Sequence, residues 1–99
     1  SREVRMLRAL GNPARYRIVR YLAERPQCIV ADIVEQTPLA QSTVSQHLKV
    51  LREAGLICGE IEGPAMNYCL DLEALAWLVG RLSRLAQEAS RTRDRECCK

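Results

Sequence analysis

The sequence predicts a mainly α-helical chain with one small antiparallel β-hairpin, and three features predict it. Gln41 to Glu53 repeats apolar residues at helical spacing, Ile57 to Leu70 alternates about Gly63-Pro64, and Leu72, Leu75, Val79, Leu82, Ala86 and Ala89 return to helical spacing. With 99 residues the chain forms one domain, residues 1–99, near the small end of what sustains its own core. At 47% hydrophobic and 27% charged it has the composition of a folded globular protein rather than a disordered one. Its apolar runs are too short to span a bilayer and no secretory pattern opens it, so no membrane partner and a cytoplasmic location are expected.

The elements follow in order. A short helix is predicted from Arg2 to Leu10, stopped by Gly11. Asn12-Pro13 then reads as an N-cap followed by proline at the first helical position, where its missing N–H does no harm. That second helix runs to about Glu24, burying Ile18, Val19 and Leu22, with Pro26 closing it. Gln27 to Val30 is a short apolar piece, read as a single strand. Ala31 to Gln36 forms a short helix that Pro38 ends, since the residue before proline is pushed out of the helical region. Thr37-Pro38-Leu39 leads straight into the next helix, and two helices joined by so short a turn make a helix-turn-helix. Gly55 supplies the left-handed stop, with Leu56 and Leu51 as the contact pair of a Schellman end. A symmetric hairpin about Gly63-Pro64 pairs Ile57 with Leu70, Cys58 with Cys69, Gly59 with Tyr68 and Ile61 with Met66. Asp71 caps a last helix spanning 71–96. Trp77, Leu78 and Leu85 widen its apolar stripe beyond what so small a domain covers alone, so a homodimer is expected.

The helix at Gln41–Glu53 carries the main functional signal. At one hundred degrees per residue, Val44, Leu48 and Leu51 share a narrow buried stripe, while Ser42, Gln46 and Lys49 lie opposite, flanked by Thr43 and Ser45. An ordinary solvated face more often carries long Glu, Lys and Arg pairs, because Ser and Thr are mediocre helix formers. Short polar groups suit a helix that enters a DNA major groove. Gln can read adenine, Ser and Thr can meet bases or phosphates, and Lys49 is best placed for the backbone. Gln41 opens this surface. His47 lies about sixty degrees off the buried stripe, which on geometry alone makes it a boundary packing residue. Net charge is only +3, but Arg2, Arg5, Arg8, Arg15, Arg17, Arg20 and Arg25 load the first quarter. Such a run suits phosphate contact and suits an ordinary solvated surface equally. Glu60 and Glu62 near the hairpin tip would repel phosphates, which argues against the hairpin as a DNA contact.

Helices, helix-turn-helix, hairpin and final helix compose a winged helix-turn-helix. Ala9-Leu-Gly-Asn-Pro-Ala-Arg-Tyr-Arg-Ile18, Asp32-Ile33, Ser42 to Leu56 and the Gly63/Tyr68 wing resemble the ArsR/SmtB family of bacterial metal-responsive repressors, over roughly Met6 to Leu85. The resemblance implies a homodimer paired through its N- and C-terminal helices, bound to palindromic double-stranded operator DNA. It implies an inducer that weakens DNA affinity and releases transcription, and it places His47 at the DNA surface. No cofactor is expected for DNA binding itself. An enzyme is disfavoured: the chain has no glycine-rich phosphate loop, a single histidine and no nucleophile–base spacing, and a Cys28–His47 dyad sits in the wrong context.

The inducer must be read from five cysteines, an odd count without framework spacing. The family's thiol motif, a Cys-Val-Cys-Asp-Leu run, corresponds here to Ile29-Val-Ala-Asp-Ile33, without either cysteine and with Cys28 one residue earlier. Zinc-type sites on the final helix of this family need histidine and carboxylate pairs that this chain lacks. Soft thiolates select thiophilic centres, so As(III) or Sb(III) is the expected effector, and two groupings qualify. Cys97-Cys98 is a vicinal pair beyond the last helix, or else an inconsequential tail. Cys58 and Cys69 oppose each other on the hairpin face away from the core, and Cys28 would bring a third sulfur if its strand lies beside them. These three thiols also fit the description of small apolar fillers. A disulfide-based redox or reactive-sulfur switch is the alternative reading.

Overall fold

The computed structural model describes residues 1–25, 28–62 and 65–92. Helix α1 spans Arg2–Leu10, α2 Pro13–Ala23, strand β1 Cys28–Ile29, α3 Val30–Glu35, α4 Gln41–Glu53, β2 Ile57–Glu62, β3 Ala65–Leu70 and α5 Leu72–Thr92. The predicted order of elements therefore holds, with one shift: Val30 opens α3 instead of extending the strand. Pro26, Gln27, the Gly63-Pro64 turn, residues 93–96 and Cys97-Cys98 lie outside the described residues.

Local chemistry explains the helix ends. Ser1 caps α1, its Oγ accepting from Val4 N. Asn12 caps α2 with Oδ1 accepting from Ala14 N at 2.9 Å and Arg15 N at 3.1 Å, ahead of Pro13. In the turn between α3 and α4, Thr37 Oγ1 accepts from Leu39 N at 3.0 Å, which bends the chain through Pro38. Gly55 adopts φ +81°, the left-handed conformation glycine tolerates best. Leu56 N donates to Leu51 O at 3.1 Å and Gly55 N to Arg52 O at 3.0 Å, the two bonds of a Schellman end. Asp71 Oδ1 accepts from Ala74 N at 3.0 Å and so starts α5.

The sheet has the order β1-β3-β2. The β2–β3 register pairs Ile57 with Leu70, Cys58 with Cys69, Gly59 with Tyr68 and Ile61 with Met66, as the symmetric hairpin requires. The alternation turns buried Ile57 and half-buried Tyr68 and Leu70 toward the core.

One core holds these elements together. Met6 and Ala9 from α1, Ile18, Val19 and Leu22 from α2, Ile33 from α3, Val44, Leu48 and Leu51 from α4, and Ala74 and Leu78 from α5 are all buried. Burying a large aliphatic side chain contributes about 1.5–3 kcal/mol, so three such residues on α4 are what hold its orientation. A second contact fastens α1 to α5. Glu3 Oε1 accepts from Arg81 Nε at 2.9 Å, and Trp77 lies under the Arg2 guanidinium at 4.2 Å.

Candidate nucleic-acid interface

Because Val44, Leu48 and Leu51 are sunk in the core, the opposite face of α4 must point outward. Gln41, Ser42, Thr43, Ser45, Gln46 and Lys49 are all exposed. The N-cap of this helix is Ala40, which offers no side-chain acceptor, so no capping side chain occupies its first-turn N–H groups. A helix start carries partial positive charge and suits phosphate oxygens. Short hydroxyls at its start, Gln46 one turn on and Lys49 beyond that put hydrogen-bonding groups and a cation in sequence along one ridge.

His47 stands at the edge of this ridge, half-buried. Its Nδ1 lies 3.4 Å from Arg15 Nη1, so the boundary position predicted from helical phase is the one it occupies. Arg15 is the residue that sequence reasoning left among surface arginines. It is half-buried, and its Nε donates to Ala9 O at 2.7 Å and its Nη2 to Arg8 O at 3.4 Å. Carbonyls in the last turn of α1 have no partner within their helix, so a guanidinium there both caps α1 and braces α4. The local signal was its position three residues after the Asn12 cap; its partner lies 32 residues away in sequence.

Tyr68 of β3 lines a cleft with Ser45, Lys49, Arg52 and Glu53 of α4, so the wing is in touch with the reading face. On the other side of the hairpin, Cys58 is exposed and Cys69 half-exposed, and Cys58 Sγ lies 4.0 Å from Asp71 Oδ2. Strand β1 runs antiparallel to β3 with Cys28 opposite Tyr68 and Ile29 opposite Asn67. Directly opposed positions share a face and neighbouring ones alternate, so the Cys28 position belongs with Tyr68 and Gly59, not with Cys69. Among the described residues no group of three or more His, Cys, Asp or Glu side chains is placed to hold a metal ion.

Residues 12–58, from the α2 cap through the start of the wing, match the model of the bacterial regulatory protein arsR family. The chain is 39% identical over 80 residues to the HTH-type transcriptional regulator Rv2034 of Mycobacterium tuberculosis, covering 81% of this chain and 74% of that protein. The chain belongs to the arsR family. Other relatives agree. It is 42% identical over 74 residues to the HTH-type transcriptional repressor SmtB of M. tuberculosis, 75% of this chain and 54% of that protein. The arsR-family chain thus spans about half the length of SmtB. A crystal structure described as a possible transcriptional regulator for arsenical resistance superposes with a TM-score of 0.73 at 29% identity, covering 90% of this chain and 97% of that one. The winged helix-turn-helix of this arsR-family member is therefore shared along nearly its whole length, and its relatives are transcription regulators.

Proposed function

We propose that this chain is a cytoplasmic, homodimeric repressor that binds a palindromic operator through α4 and is released by a thiol-binding inducer, arsenite or antimonite. The observation that carries the DNA-reading part is the exposure of Gln41, Ser42, Thr43, Ser45, Gln46 and Lys49 on a helix whose other side is wholly buried. Phosphate contacts from the helix start and Lys49 position the duplex, and Gln46 reads a base edge. His47 serves this surface through Arg15 as a brace.

The dimer rests on an apolar surface left uncovered. Val4 and Leu7 of α1 and Val79, Leu82 and Leu85 of α5 are exposed, and every residue from Arg81 to Glu88 faces solvent. A second copy placing its own α1 and α5 there would cover both stripes and set two α4 helices side by side, as two half-sites demand.

The thiol inducer is supported by soft-ligand chemistry and by the arsenical-resistance description of one solved relative. The test is release of the protein from its operator, selected from a randomised duplex pool, on titration with arsenite, antimonite, cadmium, zinc and peroxide. Release by the metalloids at concentrations where zinc does nothing supports the reading. Release by peroxide alone, reversed by a dithiol reductant, would replace it with a disulfide switch.

A further inference from the structure

The Cys58–Cys69 pair takes no part in the reading face. We propose that these two thiols form a clamp at the base of the wing for a trivalent arsenical that keeps one substituent of its own, R–As(III). The proposal builds on the inducer reading above for its consequence, while the chemistry of the clamp stands on geometry alone.

Four observations carry it. The two residues are directly opposed across β2 and β3, Cys58 exposed and Cys69 half-exposed. Directly opposed residues of an antiparallel pair hold their Cβ atoms about 4.5–5.5 Å apart. A disulfide draws Cβ atoms to about 3.5–4.5 Å, the short end of that spacing or below it. One atom inserted between the sulfurs suits the wider part of that spacing. The donor count then selects the ligand. Zinc in a structural site takes four protein donors, and a third thiol would suit inorganic arsenic. Here the strand register puts Cys28 opposite Tyr68, and no three-ligand group occurs among the described residues. A pyramidal arsenic held by these two sulfurs alone brings its own third ligand. Finally, the Asp71 carboxylate lies 4.0 Å from Cys58 Sγ and provides a nearby acceptor for the thiol proton as the sulfur attacks.

The step balances without an oxidant. Two As–O bonds of R–As(OH)₂ break and two As–S bonds form. Each thiol proton leaves with a hydroxide as water, and arsenic stays trivalent.

Ligation reaches the DNA surface by two short routes. Cys69 is next to Tyr68, which lines the cleft with Ser45 and Lys49. Cys58 loses the proton it shares with Asp71, whose other oxygen caps α5 at Ala74 and whose N–H donates to Leu56 O at 2.9 Å, just past the end of α4. The clamp thus sits where the wing, the last helix and the end of the reading helix meet.

The experiment uses phenylarsine oxide, read by intact mass and by competition with millimolar glutathione. Variants are Cys58→Ser, Cys69→Ser and Cys28→Ser, each made in a Cys97→Ser/Cys98→Ser background, with helical content checked by circular dichroism. The background protein and its Cys28→Ser form should hold one phenylarsenic group against glutathione and give it up to a dithiol. Cys58→Ser and Cys69→Ser should each weaken binding by at least about 100-fold, the ordinary gain from a second donor on one scaffold. A misfolded serine variant is replaced by Cys58→Ala or Cys69→Ala, which keep the cysteine's apolar character. Undiminished binding in either single variant, or its loss in Cys28→Ser, overturns the clamp. Binding through Cys58 and Cys69 that leaves operator affinity unchanged confirms the clamp and removes only its link to operator release.

Discussion

Arg15 joins the end of one helix to the flank of another: its Nη1 stands 3.4 Å from His47 Nδ1 while its Nε donates to Ala9 O at 2.7 Å. The same guanidinium therefore caps α1, part of the exposed apolar surface, and fixes the edge of α4, the candidate reading head. A shift of α1 on dimer formation would be felt at His47 through one side chain.

Removing that link gives the first prediction. Arg15→Ala leaves two carbonyls of α1 without their donor, and hydrogen bonds to charged groups contribute about 1.5–3 kcal/mol. The site is only partly buried, so a loss of about 1–2 kcal/mol is expected, read as a lower urea midpoint at unchanged slope. Arg15→Lys should recover only part of it, because an ammonium lacks the planar fork. Wild-type stability in Arg15→Ala would show that the contacts are incidental.

Gly55 offers a cleaner test of backbone strain. A Cβ added there meets nothing within 4 Å, yet φ is +81°. Gly55→Ala should therefore cost about 1–2 kcal/mol through conformation alone. Gly55→Asn, better suited to that region, should cost less. Equal stability of all three proteins would contradict the Schellman end.

Much of this fold was legible because its signals are local. The Gly63-Pro64 turn and strict alternation were enough to give the β2–β3 register, and Gly55 with Leu51 and Leu56 was enough to give the end of α4. The α4 stripe needed only helical phase. What could not be read were contacts between elements distant in sequence. No turn links β1 to β3, so nothing in the sequence says that Cys28 meets Tyr68 instead of Cys69. Nor does any periodicity reveal that Arg15, among seven arginines in the first quarter of the chain, reaches His47. For the site, the outward ridge of α4 and the Cys58–Cys69 pair follow from local periodicity and register, while the links through Tyr68 and Asp71 join distant segments and arise only on folding.

The exposed stripe on α1 and α5 makes the oligomeric state testable. Val79 is 57% and Leu82 39% exposed, so placing a charge there should not disturb the monomer core. In sedimentation equilibrium the wild-type chain should be a dimer. Val79→Glu/Leu82→Glu should shift it to monomer and weaken operator binding by more than tenfold, because two half-sites no longer bind together. A dimer that survives both charges would place the interface elsewhere.

The most direct test concerns α4 itself. Operator affinity should be measured over a range of salt concentrations for wild type, Gln46→Ala and Lys49→Ala. Both side chains are exposed, so neither change touches the core. Lys49→Ala should weaken binding to all duplexes and lower the salt slope by about 1 per site neutralised. Gln46→Ala should leave the slope alone, cost about 1–3 kcal/mol on the operator and relax preference at one base pair. Wild-type affinity and salt slope in both variants would contradict DNA reading by this helix.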